Sequence, residues 1–510
     1  MKLKELLADV PVQHWNADPE MEITTLCCDS RKAEPGSLFV AVSGFASDGN
    51  RFIPAAMEKG AAAVVTAKKP EQEIPYVLVE SDRLALALIS ANYFGRPSEK
   101  MTMIGITGTN GKTSSTLLLK QVLTKCLGAK VGLIGTMENH IGDEVLPTER
   151  TTPESFELQA LFARMYEAGC THVVMEVSSH AIALERIGGI HYDVAAFTNL
   201  TEDHLDFHKT MDDYCDAKAE LFRRCSRAVI NMDDPYSSRM LAAAQCPVLT
   251  TSVHGNADLR AEAVELHSDS IRFTAVCGES RADVSVPIPG RFTVYNTLTV
   301  LAAAMCLGVS LEAAAAAVAG VRGVKGRIEV VPTPGVPYTV IIDYAHSPDG
   351  LENVLKSVRD FCKGRLISVF GCGGDRDPLK RPIMGEIGVK YADFAIITSD
   401  NPRTEAPMAI IEDILRGVTP ELGEYTVIED RRKAIRYAMD IAEKDDIIVL
   451  AGKGHETYQE IDGVKHHLDE REEVAAHLKE LREQHGKNYT PSGRRMVRRY
   501  GGRKIRKRGV

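Results

Sequence analysis

The apolar residues of this chain fall into short runs of β-forming residues, separated by Ala- and Leu-rich segments with helical character. From residue 101 to about 330 the two patterns alternate. The first apolar run there, 101–107, leads through a Gly-rich turn into a Leu-rich segment that closes at Gly128. Strands and helices that alternate in this way form a largely parallel sheet with helices on both faces. The pattern therefore predicts an α/β fold.

The same alternation continues on either side of this region and divides the chain into domains. Residues 1–98 contain short apolar runs at 37–42 and 62–66, with Ala-rich helical segments between them. Residues 331–486 contain four apolar runs, and each opens directly into a polar cluster. A chain of 510 residues exceeds a single hydrophobic core. We therefore expect a small N-terminal α/β domain at 1–98, a central domain at 99–330 and a C-terminal domain at 331–486.

Residues 487–510 differ from the rest of the chain in composition. Residues 494–510 hold nine Arg and Lys and no acid, and without them the chain has 52 basic against 70 acidic side chains, a net charge of −18. A segment so rich in Gly and charge buries too little apolar surface to fold, so we expect a disordered basic tail. It either contacts anionic partners such as RNA or acidic lipid, or is a solvated extension without function.

The remaining composition excludes several classes of protein. The chain has no apolar run long enough to cross a bilayer and no signal peptide, and its eleven cysteines lack paired spacing. These features argue against a membrane protein and against a disulfide-stabilised secreted protein. We expect a cytoplasmic, monomeric protein with reduced thiols.

The Gly-rich turn after the run at 101–107 is built to hold phosphate. Its glycines let successive backbone N–H groups converge on an anion at the start of a helix, where a lysine and a hydroxyl follow. Ile106 stands where the usual P-loop has its first glycine, so a chance turn is the alternative. The predicted ligand is a nucleoside triphosphate, bound by Gly108, Thr109, Asn110, Gly111, Lys112 and Thr113.

Polar residues follow other apolar runs, at the carboxyl ends of predicted strands where α/β proteins bind ligands. Glu176 ends one run, and Asn199 to His204 follow the next. A carboxylate beside a hydroxyl and phosphates is typical of Mg²⁺ sites. In the C-terminal domain, four clusters are expected to form one binding face: 343–346, 371–376, 399–403 and 452–456. The alternatives are solvated polar groups at strand ends and ordinary turns between strands and helices.

Taken together, several of these motifs resemble those of the Mur ligase family. They are Thr-Gly-Thr-Asn-Gly-Lys-Thr ending at Thr113, Thr-Thr-Pro at 151–153, Glu-Val-Ser-Ser-His at 176–180, Thr-Asn-Leu-Thr-Glu-Asp-His at 198–204, Asp-Tyr-Ala-His at 343–346 and Asp-Asn-Pro-Arg at 400–403. The resemblance implies an ATP-dependent amide ligase with a UDP-sugar-binding N-terminal domain, a central P-loop ATPase domain and a Rossmann-like C-terminal domain. It also implies that an acyl phosphate forms on the D-Glu γ-carboxylate of UDP-MurNAc-L-Ala-D-Glu before an amine attacks.

The resemblance assigns a role to each matching residue. Lys112 would hold the β- and γ-phosphates, and Mg²⁺, at two sites, would bind Thr113, Glu176 and His204. Lys218 matches a lysine that the family carries as a CO₂-derived carbamate and so would also face the metal, although on pattern alone it reads as a surface helix lysine. ATP would further contact Asn296, Arg327 and Asp343. The sugar peptide would contact Ser30, Thr151, Thr152, Ser178 and Arg186.

The choice of amine would depend on the C-terminal clusters. The matching residues are Arg376, Asp400, Asn401, Pro402, Arg403, Gly452 and Glu456. Two arginines can clamp the distal carboxylate of meso-diaminopimelate while Glu456 receives its ammonium, whereas L-lysine lacks that carboxylate. The motifs therefore predict diaminopimelate as the amine. The alternatives are a lysine-adding ligase, another Mur ligase or folylpolyglutamate synthetase relative, and a non-catalytic nucleotide- or RNA-binding protein that uses the basic tail.

Overall fold

The computed structural model describes residues 1–44, 48–148, 150–321 and 323–487, and the expected basic tail lies outside these ranges except for Lys487, where the last helix ends. The described chain forms two compact units. The first comprises Met1–Glu262, Thr274–Asp283 and Tyr295–Val318, and the second comprises Ala263–Phe273, Val284–Val294 and the chain from Ala319 onward. None of the described helices is long and apolar enough to cross a membrane.

A five-stranded sheet forms the N-terminal part of the first unit. Its strands are β1 (Val12–Asn16), β2 (Thr25–Cys27), β3 (Ser37–Ala41), β4 (Ala63–Thr66) and β5 (Tyr76–Val79), in the order β1-β5-β4-β3-β2. All neighbours are parallel except the β1–β5 pair. Its helices are α1 (Leu3–Leu6), α2 (Ile53–Glu58) and α3 (Asp82–Tyr93). The predicted runs at 37–42 and 62–66 are β3 and β4.

A larger sheet follows, with the phosphate-binding strand near its middle. The strands are β6 (Thr102–Thr107), β7 (Val131–Ile134), β8 (Asn139–Ile141), β9 (Glu144–Leu146), β10 (His172–Glu176), β11 (Val194–Phe197), β12 (Ala228–Asn231), β13 (Val248–Ser252), β14 (Leu259–Leu266), β15 (Ile271–Cys277) and β16 (Ser280–Val286). Their order is β16-β15-β14-β13-β12-β11-β6-β10-β7-β8-β9, and the last three strands in chain order are divided between the two units. The strands from β13 to β7 in this order are all parallel.

Helices cover the large sheet, as its apolar strands require. They are α4 (Lys112–Leu127), α5 (Ser155–Glu167), α6 (Ser179–Ala183), α7 (Leu205–His208), α8 (Met211–Ala219), α9 (Ser237–Ala243), α10 (Arg291–Cys306) and α11 (Leu311–Val318). The residues of β7 and β11 are buried throughout, as are nearly all of β6 and β10. Burial of both faces explains why these strands read as continuous apolar runs in the sequence.

The second unit contains a six-stranded sheet and a separate hairpin. Its strands are β17 (Glu329–Val331), β18 (Thr339–Asp343), β19 (Leu366–Phe370), β20 (Phe394–Ile397), β21 (Glu424–Val427) and β22 (Ile447–Ala451), in the order β17-β18-β22-β19-β20-β21. Strands β23 (Tyr458–Ile461) and β24 (Val464–His467) form the hairpin. The helices are α12 (Pro348–Arg359), α13 (Lys380–Lys390), α14 (Pro407–Leu415), α15 (Arg431–Ile441) and α16 (Glu470–Lys487).

The order of the second sheet brings its polar clusters to one edge. β18, β22, β19 and β20 are mutually parallel, so their carboxyl ends lie side by side. These are the four apolar runs predicted from the sequence, and each strand ends within two residues of the start of its predicted polar cluster. The α/β prediction is confirmed, and the chemistry-bearing loops of this unit share the edge at which such sheets bind ligands.

We expect Gly388→Ala, on α13, to destabilise the second unit. A Cβ at Gly388 would lie 2.2 Å from Cε1 of Phe370, a fully buried ring at the end of β19. Overpacking of this kind costs about 1–3 kcal/mol, which exceeds the gain in helix propensity on replacing glycine by alanine. Urea unfolding measures the change in the free energy of unfolding. Gly323→Ala is the control, because its Cβ meets only Ile288, at 3.5 Å; equal unfolding free energies for both variants would contradict the packing.

Candidate active site

The phosphate-binding loop has two positions that only glycine can occupy. Gly108 has φ of 151° and Gly111 has φ of 85°, both outside the range that other residues favour. A Cβ at Gly108 would lie 1.9 Å from Oγ1 of Thr198, and one at Gly111 would lie 2.3 Å from Oδ1 of Asn296. The loop therefore packs directly against neighbouring polar side chains. Helix α4 starts at Lys112, so its unpaired N–H groups face the loop.

The strands beside β6 extend the site on both sides. In β10, Glu176 pairs with Ile106, and in β11, Phe197 pairs with Thr107. The residues after Phe197 hold the loop in place. Thr198 donates to the Asn110 carbonyl at 2.7 Å, and Oδ1 of Asn199 accepts from the Asn110 N–H at 2.9 Å. Thr109 donates its N–H to the Asn199 carbonyl at 2.8 Å. The carboxyl ends of three neighbouring strands thus meet at the loop.

Glu176 is buried and is held in place by Thr136, which follows β7. The Thr136 N–H and hydroxyl donate to the two carboxylate oxygens at 2.9 and 3.0 Å. The Thr136 hydroxyl also lies 3.0 Å from that of Thr151. Thr136 was not among the predicted site residues, although its place two residues after an apolar run was a usable signal. Through Thr136, Glu176 is linked to one of the residues expected to bind the sugar peptide.

Three other residues of that expected set form one cluster beside Glu176. The Thr152 hydroxyl donates to the Glu176 carbonyl at 2.8 Å and accepts from the Ser178 N–H at 3.2 Å. Arg186 donates to the Thr152 carbonyl at 3.2 Å and pairs with Glu154 at 2.7 Å. Ser30 is the first residue of a short 3₁₀ helix, Ser30–Lys32, that is capped by the Asp29 carboxylate. No contact that is described for Ser30 joins it to this cluster.

Lys218, on α8, is 1% exposed, so its side chain is not on the surface. Its ammonium donates to the Gly108 carbonyl at 3.0 Å and lies 4.4 Å from the centroid of the Tyr214 ring. Lys112 donates to the same carbonyl at 2.8 Å. Burial, and secondarily the charge of Lys112, lower the pKa of Lys218 well below its ordinary value. Burial thus favours the neutral form of the Lys218 amine more than solvent would.

His204 and Asn296 lie near the loop in different environments. His204 has a left-handed backbone with φ of 54°, and its side chain is 47% exposed. Its ring centroid lies 4.8 Å from that of His180, the second residue of α6. Asn296 is buried beside Gly111. Among the described residues no three His, Cys, Asp or Glu side chains are grouped closely enough to hold a metal ion.

In the second unit, Asp343 ends β18 and is buried. Its carboxylate accepts from the backbone N–H groups of Ile328 and Ala345 at 2.8 and 2.9 Å. Burial raises the pKa of Asp343 above its ordinary value, although Arg327 and these hydrogen bonds oppose the shift. The Arg327 guanidinium lies 5.5 Å from the centroid of the Tyr344 ring. Two of the residues expected to contact ATP are therefore neighbours in this unit.

Residues 400–403, which follow β20, contact the segment at 452–456, which follows β22. Asp400, Asn401 and Pro402 are buried, and a Cβ at Gly452 would lie 2.3 Å from Oδ2 of Asp400. Asn401 donates to Oε2 of Glu456 at 2.9 Å. The structure thus joins two motifs that are about fifty residues apart in the sequence.

The two expected arginines flank Gly373. A Cβ there would lie 3.0 Å from Nη1 of Arg403 and 4.0 Å from Cγ of Arg376. Arg403 has a left-handed backbone and is partly buried, donating to the Gly374 carbonyl at 2.6 Å and lying 3.3 Å from Oε2 of Glu460. Arg376 is exposed. Both arginines therefore lie beside Gly373, Arg403 paired with Glu460 and Arg376 exposed.

Known proteins resemble this chain along nearly its whole length. Three domain models of the family match: the Mur ligase family catalytic domain at residues 22–92, the Mur ligase middle domain at 106–304 and the Mur ligase glutamate ligase domain at 326–454. The UDP-N-acetylmuramoyl-L-alanyl-D-glutamate--2,6-diaminopimelate ligase of Clostridium tetani is 46% identical over 94% of this chain and 100% of its own. The chain belongs to the Mur ligase family.

Other Mur ligases give the same result. The enzyme of that name from Geobacillus kaustophilus is 44% identical over 94% of this chain and 100% of its own. A solved structure with that name is 31% identical, with a TM-score of 0.74, and covers 94% of this chain and 99% of its own. The MurF ligase of Thermotoga maritima in complex with ADP, 19% identical with a TM-score of 0.58, covers 91% and 99% and shares the fold. The expected three-domain α/β architecture of a Mur ligase is confirmed.

We expect Gly111→Ala to weaken nucleotide binding to this Mur ligase by about tenfold or more, because the Cβ would displace Asn296 and strain the loop. Titration calorimetry with ADP or a non-hydrolysable ATP analogue measures the affinity. Gly128→Ala is the matched control. It lies at the other end of α4, with φ of 62° but nothing within 4 Å of its Cβ. Equal affinities in the two variants would contradict the role of the loop.

Proposed function

We propose that this Mur ligase joins meso-diaminopimelate to the D-Glu γ-carboxylate of UDP-MurNAc-L-Ala-D-Glu with consumption of ATP, a step in peptidoglycan precursor synthesis. The observation that carries this proposal is the 46% identity, over essentially full length, to a ligase named for that substrate and that amine. The paired arginines beside Gly373 and the Asn401–Glu456 contact agree with it.

The proposed reaction has two steps. The γ-phosphoryl group of ATP passes to an oxygen of the γ-carboxylate, the bond to the β-phosphate breaks, and ADP is released. The amine nitrogen then attacks the acyl carbon and loses a proton, the carbon–oxygen bond to phosphate breaks, and an amide and inorganic phosphate result. Lys112 and the N–H groups at the start of α4 would offset the charge of the transferring phosphoryl group. Thr152, Ser178 and Arg186 would orient the sugar peptide, together with Ser30 and Thr151.

The residues around the loop fit Mg²⁺ as a cofactor. Mg²⁺ prefers one or two carboxylates together with phosphate and water, and Glu176 is a buried carboxylate in the strand beside the phosphate loop. Thr113, Glu176 and His204 would hold it, and when bound it supplies charge neutralisation at the phosphates. Thr136 would keep the Glu176 carboxylate oriented.

Lys218 fits the proposed carbamate. A buried amine with a lowered pKa is largely neutral, and a neutral amine adds to CO₂ to give a carbamate and a proton. The product is an anion beside Lys112, whereas the unmodified ammonium would face that lysine's like charge. An anionic oxygen here would also be a ligand for Mg²⁺.

The second unit would bind the amine and part of the nucleotide. Arg376 and Arg403 would clamp the distal carboxylate of diaminopimelate, and Glu456 would accept its ammonium, with Asp400, Asn401, Pro402 and Gly452 shaping the site. Arg327 and Asp343 would contact ATP. The cytoplasmic location, the monomeric state and any contact of the basic tail with anionic partners stay predictions.

Phosphate release in the presence of ATP, Mg²⁺ and UDP-MurNAc-L-Ala-D-Glu tests the proposed function. We expect meso-diaminopimelate to support turnover at least about 100-fold more efficiently than L-lysine, because lysine leaves the arginine clamp unpaired. Arg403→Ala should remove most of this preference and leave the KM for ATP within about twofold. Arg359→Ala is the control. Arg359 is the last residue of α12 and forms an ion pair with Asp393. Equal rates with the two amines, or turnover without either, would overturn the proposal.

We expect removal of bicarbonate and CO₂ to lower the activity of freshly purified enzyme by about tenfold or more, and readdition to restore it, because Lys218 would revert to an amine. Carbon NMR with labelled bicarbonate detects the carbamate directly. Lys218→Ala should be inactive and should show no labelled carbamate at any bicarbonate concentration. A fully active wild-type enzyme without CO₂ and without a carbamate signal would argue against the modification.

A further inference from the structure

Lys453 is a completely buried lysine at the carboxyl end of β22, between Gly452 and Gly454. Its exposed fraction is 0%, whereas lysine is among the residues least often buried. Burying an ammonium group is costly unless anionic or polar partners offset the lost hydration. The partners of Lys453 therefore show what its burial accomplishes.

Those partners are polar side chains from residues 400–403 and 452–456, the two segments proposed to bind the amine. The ammonium donates to Oδ1 of Asn401 at 2.9 Å and lies 3.3 Å from Oε2 of Glu456. It also lies 3.6 Å from Oδ1 of Asp400. One cation thus contacts residues from both strand ends, and it does so beneath the side chains that would meet the amine.

These contacts determine the orientation of the Asn401 amide. Its Oδ1 accepts from Lys453 and also from the Glu460 N–H, at 2.9 Å each, so this end of the amide must be the oxygen. The NH₂ end is then directed to Oε2 of Glu456, at 2.9 Å. Exchanging the two ends would set an NH₂ group against two donors. Lys453 therefore fixes the donor that Asn401 presents to Glu456.

Glu456 is consequently held through one oxygen. Oε2 accepts hydrogen bonds from Asn401 and Lys453, whereas Oε1 accepts none from residues 1–44, 48–148, 150–321 or 323–487. The Glu456 side chain is 16% exposed, so it is not sealed in the interior as Lys453 is. An ammonium group from outside can bind Oε1 without displacing an existing partner.

The charges of the cluster favour such a ligand. Arg431, which is fully buried, lies 3.9 Å from Asp400 and 2.7 Å from Glu470. Burial opposes ionisation of Asp400, but Lys453 and Arg431 outweigh it and lower the pKa of that carboxyl below its ordinary value. With its carboxylates ionised, the cluster has three negative and two positive groups. The unbalanced negative charge is one that an incoming ammonium would neutralise.

We propose that Lys453 is a positioning residue for the amine substrate, holding Asn401 and Glu456 so that Oε1 of Glu456 accepts the ammonium of the diamino acid. This inference rests on the proposed function and adds a residue to it. Lys453 does not contact the substrate in this role, since its side chain is completely covered. A merely structural lysine would instead affect folding and every substrate alike.

Lys453→Met tests the inference because methionine keeps most of the side-chain length and removes the charge. Phosphate release is measured while ATP, UDP-MurNAc-L-Ala-D-Glu and meso-diaminopimelate are varied in turn. We expect the KM for diaminopimelate to rise about 10- to 100-fold, as when a hydrogen bond to a charged group is lost, and the other two KM values to stay within about twofold. Lys453→Arg, which keeps the charge, should recover part of the loss.

Arg365→Met is the matched control. It removes another cation from an ion pair with a buried carboxylate in the same unit, because Arg365 lies 2.7 Å from Asp446. These two residues precede β19 and β22, at the end of the sheet away from Lys453. We expect it to lower the melting temperature without a selective change in the KM for diaminopimelate. A uniform change of all three KM values in Lys453→Met, or an unchanged KM for diaminopimelate, would overturn the positioning role.

A double variant keeps the inference testable if Lys453→Met does not fold. Lys453→Met with Glu456→Gln removes one charge of each sign, so it disturbs the buried balance less than the single change. If Lys453 acts through Glu456, the KM for diaminopimelate in the double variant should equal that of Glu456→Gln alone. A further tenfold increase would refute that coupling. Amine-dependent turnover by the wild-type enzyme confirms in the same assay that the proposed function itself holds.

Discussion

The cost of burying an ammonium group governs both halves of the proposed site. Lys218, in helix α8, and Lys453, just after strand β22, are both almost completely buried. Their partners differ. Lys453 has carboxylates within 3.6 Å, whereas the hydrogen-bond partner described for Lys218 is a carbonyl oxygen. The carboxylates beside Lys453 offset the cost of burying its charge, whereas burial and the charge of Lys112 lower the pKa of Lys218. The two lysines thus differ in whether neighbouring carboxylates offset the cost of burial.

Close packing at glycine positions makes these arrangements possible. Gly111 brings the phosphate loop against Asn296, and Gly452 brings the end of β22 against Asp400. In both places a Cβ would collide with a polar side chain of a neighbouring element. The chain therefore uses the same device in both units: a parallel strand ends at a glycine turn, and a polar side chain from a neighbouring element occupies the space that a Cβ would take.

The sequence predicts the parts of the structure that depend on local patterns. Strands such as β6, β19 and β22 are buried on both faces, so they read as unbroken apolar runs between turns. The edge strands β17 and β21 are short and partly exposed, and no such run marks them. Lys218 reads as a surface lysine because its helix is polar, and its burial depends on the distant Gly108 loop. The contacts of Lys453 with residues 400 and 401 depend on strand order, which a local pattern does not contain.

The residues with proposed roles in activation and in amine choice belong to different units. The loop, Glu176 and Lys218 belong to the first unit, and the arginine pair and Glu456 belong to the second. Within the second unit, the partners that hold Arg403 and Glu456 are themselves residues of that unit, Glu460 and Lys453 among them. Under the proposed function, carboxylate activation would depend on the first unit, and amine choice would depend on side chains that the second unit itself holds in place. A change of amine preference would then require changes among the side chains at the edge of the second sheet.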